Sequence, residues 1–236
     1  MSPEPSEAAR RLAPIELAVL DMAGTTVRDD GLVERAFVRA MAWAGIVEDD
    51  PSMDDHLAFV HASMGLSKIE VFRALLGDEE RAVGATRAFE QAVADSVAGG
   101  EVVPIDGAEA ALRRLRASDV KICLTTGFSH DTQSAIVDAL GWGGLIDLAV
   151  APGRGLRGRP HPDMILHAVL TLGVDDVAAV AVAGDTASDL LSGWRAGAGI
   201  VAGVLTGAHG RDELCAVPHT HLLPSVVDLP DLVLPR

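Results

Sequence analysis

Asp21 stands at the end of the first apolar run of the chain, in the stretch L-D-M-A-G-T-T-V. A carboxylate at the end of a strand can attack phosphorus and form an aspartyl phosphate. The amides of the following turn, at Gly24 and Thr25, could bind the oxygens of the transferred group. The stretch therefore indicates phosphoryl transfer, although an aspartate that only caps the turn has the same local pattern.

Two other stretches carry groups suited to a phosphoryl group. Thr126 and Gly127 end the run V-K-I-C-L-T-T-G and offer a hydroxyl and a free amide. Arg159, in G-R-P-H-P before a predicted helix, could neutralise a nucleophile and the group that it attacks. Threonine is common at strand ends and a loop arginine can face solvent, so neither stretch is decisive alone.

An acid pair follows the apolar run V-A-A-V-A-V, in the stretch A-G-D-T-A-S-D. Asp185 is expected at a strand end and Asp189 in the first turn of the next helix, where both carboxylates can bind one hard cation. Asp185 or Thr186 could instead cap that helix. The pair predicts a site for one hard cation.

A lysine follows a glycine turn in the stretch M-G-L-S-K, which runs from Met64 to Lys68. An ammonium group at the start of a helix is disfavoured by the helix dipole, and burial would lower its pKa further. The neutral amine of Lys68 could then attack a carbonyl carbon. The alternative is an exposed helix lysine.

The elements that must position these residues alternate between strand and helix. Apolar runs predict strands at residues 15–21, 121–126, 147–151, 177–185, 200–205 and 220–223. Helices are predicted between them at residues 108–116, 131–140, 163–172 and 188–196. This alternation predicts an α/β fold with a doubly wound parallel sheet, whose ligands bind at the carboxyl ends of the strands.

About a hundred residues separate the first two predicted strands, and their apolar residues recur at helical spacing. We expect an all-helical insertion at residues 30–102. The core would then comprise residues 14–29 and 103–236. Residues 1–13 are expected to be a frayed or disordered tail.

The net charge of −15, from 34 acidic and 19 basic residues, disfavours nucleic acid as a partner. Two cysteines do not provide a disulfide framework and suit a reducing compartment. The first residues lack the apolar segment of a signal peptide, and no run reaches the roughly 18 apolar residues of a membrane span. We expect a cytoplasmic protein that acts on a small molecule and has no membrane or nucleic-acid partner.

Taken in order, these motifs resemble those of the haloacid dehalogenase superfamily, and the resemblance covers nearly all of the chain apart from the tail. It implies that Asp21 is the nucleophile and that the helical insertion is a cap that closes over substrate. The other implied roles are phosphate contact for Thr126, charge balance for Arg159, and Mg²⁺ binding for Asp21, Asp185 and Asp189, the last acting directly or through water.

Ala23 occupies the position where phosphatases of the superfamily carry an acid that protonates a leaving alkoxide. Three leaving groups would tolerate its absence: a halide, a carbanion stabilised by an electron acceptor, or an oxyanion protonated by another residue. The superfamily's dehalogenases work without metal, so the acid pair disfavours the halide.

The pairing of D-x-A-G-T-T with M-G-L-x-K resembles the phosphonoacetaldehyde hydrolase, or phosphonatase, family. There a lysine condenses with the substrate aldehyde, the iminium withdraws electrons, and the aspartate takes the phosphoryl group as the C–P bond breaks. The resemblance implies that Lys68 forms the imine, with Met64 and Gly65 near the substrate and the carbonyl of Ala23 as a Mg²⁺ ligand. The sequence departs from the family at Val71, where a histidine is expected.

Two alternative functions are left open by the sequence. One is a phosphatase of the same superfamily that acts on a small phosphate monoester, with Lys68 only binding substrate. The other is a non-catalytic sensor of a phosphorylated ligand. Members of the phosphonatase family often pair through their caps, so a homodimer is possible.

The histidines are interpreted mainly as structural. His56 and His61 could replace the missing histidine in proton transfer, although an edge position in the insertion is the simpler interpretation. A second metal site is the alternative to a structural role for three others, His209, His219 and His221.

Overall fold

The computed structural model describes residues 14–47 and 49–234, so the expected tail at residues 1–13 lies outside the described residues. Six parallel strands form one sheet in the order β3-β2-β1-β4-β5-β6. Their bounds are β1 Leu17–Asp21, β2 Lys121–Thr125, β3 Leu148–Val150, β4 Val180–Gly184, β5 Ile200–Val204 and β6 His221–Leu223. The predicted parallel sheet is confirmed.

The described part of the predicted insertion consists of the first four helices after β1: α1 Leu32–Trp43, α2 Met53–Ala62, α3 Lys68–Leu76 and α4 Glu79–Ala98. Three phenylalanines pack inside this group, with ring centroids 5.7 Å apart for Phe37 and Phe72 and 6.2 Å apart for Phe72 and Phe89. The predicted helical insertion is thereby confirmed as a set of helices. Its division from the core at residues 29/30 and 102/103 stays a prediction.

The remaining helices cover the sheet. Their bounds are α5 Ala108–Ala117, α6 His130–Ala139, α7 Asp163–Leu172, α8 Ala187–Ala196, α9 Arg211–Cys215 and α10 Leu229–Val233. Side chains of β1 alternate between the two faces: Ala18 and Leu20 belong to the cluster with α5 and α6, whereas Leu17 and Val19 belong to the cluster with α7. Both faces are buried, which explains why the central strands are continuously apolar.

The strand order changes direction between β1 and β4, and this switch point opens a crevice at the carboxyl ends of the two strands. Asp21 is the last residue of β1, and Asp185 directly follows β4. The topology therefore brings two residues 164 positions apart to neighbouring strand ends.

Three sequence predictions were wrong in detail. The strand expected at residues 177–185 begins only at Val180, because Asp176 accepts a hydrogen bond from the amide of Ala178 and starts a short 3₁₀ turn. Met64 falls at the helical spacing of the apolar residues in the insertion, but it lies in a turn beyond the end of α2. Helices α9 and α10 were not predicted, since five residues carry too little periodicity.

Across the described part of the chain, no helix combines the length and the apolar character needed to cross a bilayer. The cytoplasmic location and the possible homodimer stay predictions.

Candidate functional site

Three buried aspartates meet at the crevice between β1 and β4. Asp21, Asp185 and Asp189 each offer a carboxylate oxygen, and these oxygens lie within 4.8 Å of one another. Thr186 caps α8, and its hydroxyl and amide donate to Asp189 Oδ2 at 2.5 and 3.1 Å in a capping box. The helix-capping role considered for Thr186 is thus confirmed, and it fixes Asp189 beside the other two carboxylates.

Arg159 is buried against these carboxylates, so the alternative of a solvent-facing loop arginine is wrong. Its Nη1 donates to Asp21 Oδ1 at 2.5 Å and to Asp189 Oδ1. Its Nε has no hydrogen-bond partner within the described residues. The guanidinium is therefore held at the nucleophile candidate, with its buried Nε–H still free for another group.

Asp185 is held by its own set of donors. The Thr25 hydroxyl donates to its Oδ1 at 3.1 Å, and the Ala208 amide donates to its Oδ2 at 2.7 Å. Burial, followed by the charges of Asp21 and Asp189, raises the pKa of Asp185 well above its usual range. Burial also raises the pKa of Asp21 to about 6, against the opposing effect of Arg159.

These groups fit a bound Mg²⁺. The described residues place three carboxylates together, and Arg159 pairs with two of them, Asp21 and Asp189. When all three are ionised, this one guanidinium leaves two negative charges to be balanced in a buried position. Carboxylate oxygens are the ligands that Mg²⁺ prefers, and a divalent cation would balance those two charges. The donor set and its charge are thus consistent with the metal expected from the sequence.

The turn after β1 is not the amide cradle that we expected. The amide of Gly24 donates to Val27 O at 2.7 Å, and the amides of Thr25 and Thr26 donate to Met22 O at 3.1 and 2.9 Å. Those donors are consumed in closing the turn itself. Gly24 is needed for another reason: it has φ +83°, and a Cβ there would lie 2.5 Å from Asp185 Oδ2.

Lys68 is the first residue of α3 and is 9% exposed, so the alternative of an exposed helix lysine is wrong. Its Nζ lies 5.6 Å from the ring centroid of Phe89 and 5.8 Å from that of Phe128. Burial, with a smaller contribution from the charge of Arg159, lowers the pKa of Lys68 to about 8. About a tenth of the amine is thus neutral at pH 7, far more than for a lysine with its ordinary pKa.

A cavity of about 30 Å³ joins most of the predicted residues. Its lining includes Asp21, Ala23, Met64, Gly65, Lys68, Thr126, Gly127, Arg159 and Asp185. Gly24, Thr25 and Asp189 do not line it and contact the aspartates or Arg159 from behind. The structure thus brings the lysine and the nucleophile candidate to one enclosed space.

Five further residues line the cavity that sequence reasoning did not single out for the site, namely Asp29, Val33, Phe128, Thr186 and Ala208. Asp29 Oδ1 accepts a hydrogen bond from the amide of Val33 at 2.9 Å, at the start of α1. An acid shortly before a helical pattern is a capping signal, and that signal could have drawn attention to Asp29. Nothing in the local sequence distinguishes Phe128.

The turn before α3 contacts the core closely. Gly65 has φ +82°, and a Cβ there would lie 2.5 Å from Thr186 Oγ1. A Cβ at Gly127 would meet the carbonyl oxygen of Leu66, and the amide of Lys68 donates to Gly127 O at 3.4 Å. Both glycines are therefore required by backbone contact between the insertion and the core.

The histidines do not take the catalytic place considered for them. His56 and His61 do not line the cavity, and Val71 is buried beside Lys68 in the insertion. His209 Nδ1 accepts a hydrogen bond from the amide of Ala187 at 3.0 Å, which agrees with a structural role. Within the described residues, the one group able to hold a metal consists of the three aspartates.

Replacing Lys68 by methionine should stabilise the fold at neutral pH. The pKa of the buried amine falls from its ordinary 10.5 to about 8, which corresponds to about 3 kcal/mol. Between these pH values the unfolded chain holds a proton that the folded chain has lost, so the free energy of unfolding rises with pH. The destabilisation of the fold by the buried Lys68 ammonium group is complete below pH 8 and absent above about pH 10.5.

Urea denaturation of both proteins at pH 7.5 and 10.5 measures this effect. Lys68→Met should exceed the wild type by about 3 kcal/mol at the lower pH, with the difference vanishing at the higher one. The chain has no tyrosine and only one other lysine, so few groups titrate in this interval. Lys121→Met is the control and should not be stabilised, because it loses the hydrogen bond from Lys121 Nζ to Leu172 O. An unchanged or lowered stability of Lys68→Met at pH 7.5 would contradict the burial of the amine.

Comparison with known proteins places this site in a family. A family model described as haloacid dehalogenase-like hydrolase matches residues 15–197. A probable phosphatase, IndB, of Dickeya dadantii is 30% identical over 208 residues, covering 85% of each chain. A phosphonoacetaldehyde hydrolase of Bacteroides fragilis is 30% identical over 231 residues, covering 89% of this chain and 83% of the relative.

Solved structures share the fold at lower identity. A phosphonoacetaldehyde hydrolase-like protein of Oleispira antarctica has a TM-score of 0.78 and 23% identity, covering 94% of this chain and 92% of that one. A hydrolase of Pseudomonas syringae has a TM-score of 0.79 and 22% identity, covering 92% of this chain and 96% of that one. With the match of the family model over most of its length, the chain belongs to the haloacid dehalogenase-like hydrolases.

Proposed function

We propose that the protein is a Mg²⁺-dependent hydrolase that cleaves the C–P bond of phosphonoacetaldehyde or a related phosphonate. Asp21 is the nucleophile and Lys68 forms an imine with the substrate carbonyl. The observation that carries this proposal is the buried Lys68, which lines the same cavity as Asp21. Ala23 lines that cavity too, at the position where a phosphatase would need an acid.

The phosphonate end of the substrate would be held at the strand ends. Arg159 has a free Nε–H beside Asp21, and the Thr126 hydroxyl lines the cavity nearby. In this proposal Mg²⁺ is held by Asp21, Asp185, Asp189 and the carbonyl of Ala23. When bound, the metal would neutralise the charge of the phosphonate as the aspartate approaches it.

The carbonyl end of the substrate would react with Lys68. The neutral amine adds to the carbonyl carbon, and the adduct takes up one proton and loses water to give an iminium ion. That proton returns to solvent when the iminium is finally hydrolysed. Asp21 then attacks phosphorus, and the electrons of the C–P bond pass into the iminium to give an enamine. The enamine takes up a proton at carbon, and water releases acetaldehyde and free Lys68. A second water hydrolyses the aspartyl phosphate.

The helical insertion would act as the cap of this site. Met64, Gly65 and Lys68 all belong to it, and they line the cavity opposite Asp21 and Asp185. We propose that residues 30–102 open to admit substrate and close to exclude water, over a core of residues 14–29 and 103–236. The contacts of Gly65 and Gly127 described above are those of the closed state.

A phosphatase acting on a small phosphate monoester is the second candidate. It is supported by the similarity to a probable phosphatase, and Lys68 would then only bind substrate. A leaving alkoxide needs a proton, however, and the absent acid at position 23 is worth on the order of 10² to 10⁴ in rate. Lys68 is buried near the rings of Phe89 and Phe128, and this setting favours attack of its amine on a carbonyl over binding of an anionic substrate.

A comparison of substrates tests the proposal. With Mg²⁺ present, we expect release of acetaldehyde and phosphate from phosphonoacetaldehyde, and at least about 100-fold lower kcat/KM for phosphate monoesters. Efficient hydrolysis of monoesters without acetaldehyde release would instead support the phosphatase. Binding of either substrate with no turnover at any Mg²⁺ concentration would indicate a sensor.

A further inference from the structure

A second, smaller cavity lies behind Lys68 within the helical insertion, and we call it the rear cavity. Its volume is about 10 Å³, and Lys68 and Val33 line both it and the larger cavity that contains Asp21. The side chains of Lys68 and Val33 therefore border both spaces. The rest of its apolar lining consists of Phe37, Val60, Val71, Phe72 and Phe89.

Apart from Lys68, the described lining of the rear cavity presents no free group that could bind a charged or strongly polar substituent. Lys68 is the one charged side chain that lines it among the described residues. The hydroxyl of Ser63, also in the lining, already donates to Val60 O at 3.1 Å. Val71, where a polar side chain was expected from the family, adds a methyl surface. A carboxylate placed there would have Lys68, already committed to the imine, as its one charged neighbour among the described residues and mostly apolar side chains on its other sides.

The size of the rear cavity matches one small apolar group. A volume of about 10 Å³ holds about one water-sized particle, but an apolar cavity of this kind stays empty of water. A methyl group is of similar size and would gain dispersion contacts with the valine and phenylalanine side chains.

A substrate bound for the proposed reaction has its phosphorus at Asp21 and its carbonyl carbon at Lys68. For the second substituent of that carbon to enter the rear cavity, it must point past the amine of Lys68. In phosphonoacetaldehyde this substituent is hydrogen, which would leave the rear cavity unfilled.

We infer that the site accepts 2-oxoalkylphosphonates whose carbonyl carbon carries a methyl group, with this methyl in the rear cavity. The inference rests on the proposed function and names its substrate class more closely. (2-Oxopropyl)phosphonate and water would give acetone and phosphate. The amine of Lys68 condenses with the ketone, taking up one proton and losing water, to give a protonated ketimine. The C–P electrons pass into this group to form an enamine as Asp21 takes the phosphoryl group. The enamine is protonated at carbon, one water releases acetone and Lys68, and a second water hydrolyses the aspartyl phosphate.

The test compares three substrates with Mg²⁺ present: phosphonoacetaldehyde, (2-oxopropyl)phosphonate and phosphonopyruvate, which differ only in hydrogen, methyl or carboxylate on the carbonyl carbon. We expect turnover of the first two and at least a hundredfold lower kcat/KM for the third. Cleavage of the aldehyde without the methyl ketone would overturn the inference and leave the proposed function standing. Equal turnover of phosphonopyruvate would also overturn it. Failure with all three would overturn both.

Two variants change the rear cavity in opposite directions. Val71→Ile fills it and should lower the ratio of ketone to aldehyde kcat/KM at least tenfold, since one methyl group in a fitted apolar pocket is worth about 10- to 200-fold. Val60→Ala enlarges it and should admit (2-oxobutyl)phosphonate. Val93→Ile is the matched control, because Val93 is buried in α4 outside the rear cavity. Aldehyde turnover in each variant reports folding, and an unchanged ratio in Val71→Ile would contradict the assignment.

Discussion

Lys68→Arg should abolish release of acetaldehyde from phosphonoacetaldehyde, with kcat lowered by about 10⁴-fold or more. Arginine keeps the positive charge and much of the length of the lysine, but its guanidinium does not lose a proton in proteins and cannot form an imine. A lysine that only binds an anionic substrate would be replaced by arginine with a modest rise in KM. The size of the loss in kcat therefore separates the two roles.

The second lysine of the chain supplies the matched control for this experiment. Lys121 lies at the start of β2, away from the cavity, and its Nζ donates to Leu172 O at 2.6 Å. Lys121→Arg should retain kcat within about twofold. Residual phosphate release from a monoester by Lys68→Arg would show that the aspartate site is intact. Substantial acetaldehyde release by Lys68→Arg would contradict imine catalysis.

Asp21→Asn should abolish phosphate release while leaving imine formation in place. An amide cannot form the aspartyl phosphate, so we expect a loss of about 10⁴-fold or more in kcat. Lys68 keeps its burial and its aromatic neighbours, and its amine still reaches the substrate carbonyl. The variant should therefore accumulate the imine with phosphonoacetaldehyde, and borohydride should trap it on Lys68.

Thr25→Val is a useful comparison with Asp21→Asn. It removes the hydroxyl that donates to Asp185 Oδ1 but leaves the nucleophile untouched. We expect weaker Mg²⁺ binding by titration calorimetry and a smaller loss of kcat than in Asp21→Asn. Phosphate release by Asp21→Asn at a rate near that of the wild type would show that the aspartate is not the nucleophile.

The sequence located a candidate site residue correctly where the residue type and its position at a strand end were enough to identify it. Asp21, Thr126 and Asp185 were placed correctly because a parallel sheet delivers the carboxyl ends of its strands to one edge. Arg159 was expected to neutralise the nucleophile, but its second contact, with Asp189, could not be inferred, because the path of the loop decides it.

The setting of Lys68 depends on residues far away in the sequence. Its aromatic neighbours, Phe89 and Phe128, come from α4 and from the loop after β2, and no local pattern links them to position 68. The rear cavity is likewise a product of packing between four helices. Such features follow from tertiary contacts, whereas helical periodicity reports only which residues face inward.

The turn after β1 illustrates a different limit. Its glycine and threonines have the composition of a phosphate-binding loop, and their amides were expected to face the substrate. Those of Gly24 and Thr25 instead close the turn onto Val27 O and Met22 O. Which acceptor an amide finds is set by backbone angles that composition does not determine.

Mass spectrometry after borohydride reduction tests the central claim most directly. The wild-type protein is incubated with phosphonoacetaldehyde, reduced and digested, and the modified residue is mapped. The chain has two lysines, so the assignment is simple. The account predicts a stable adduct on Lys68, absent in Lys68→Arg and absent from Lys121. Acetaldehyde release without any adduct on Lys68, or an adduct on Lys121 alone, would contradict it.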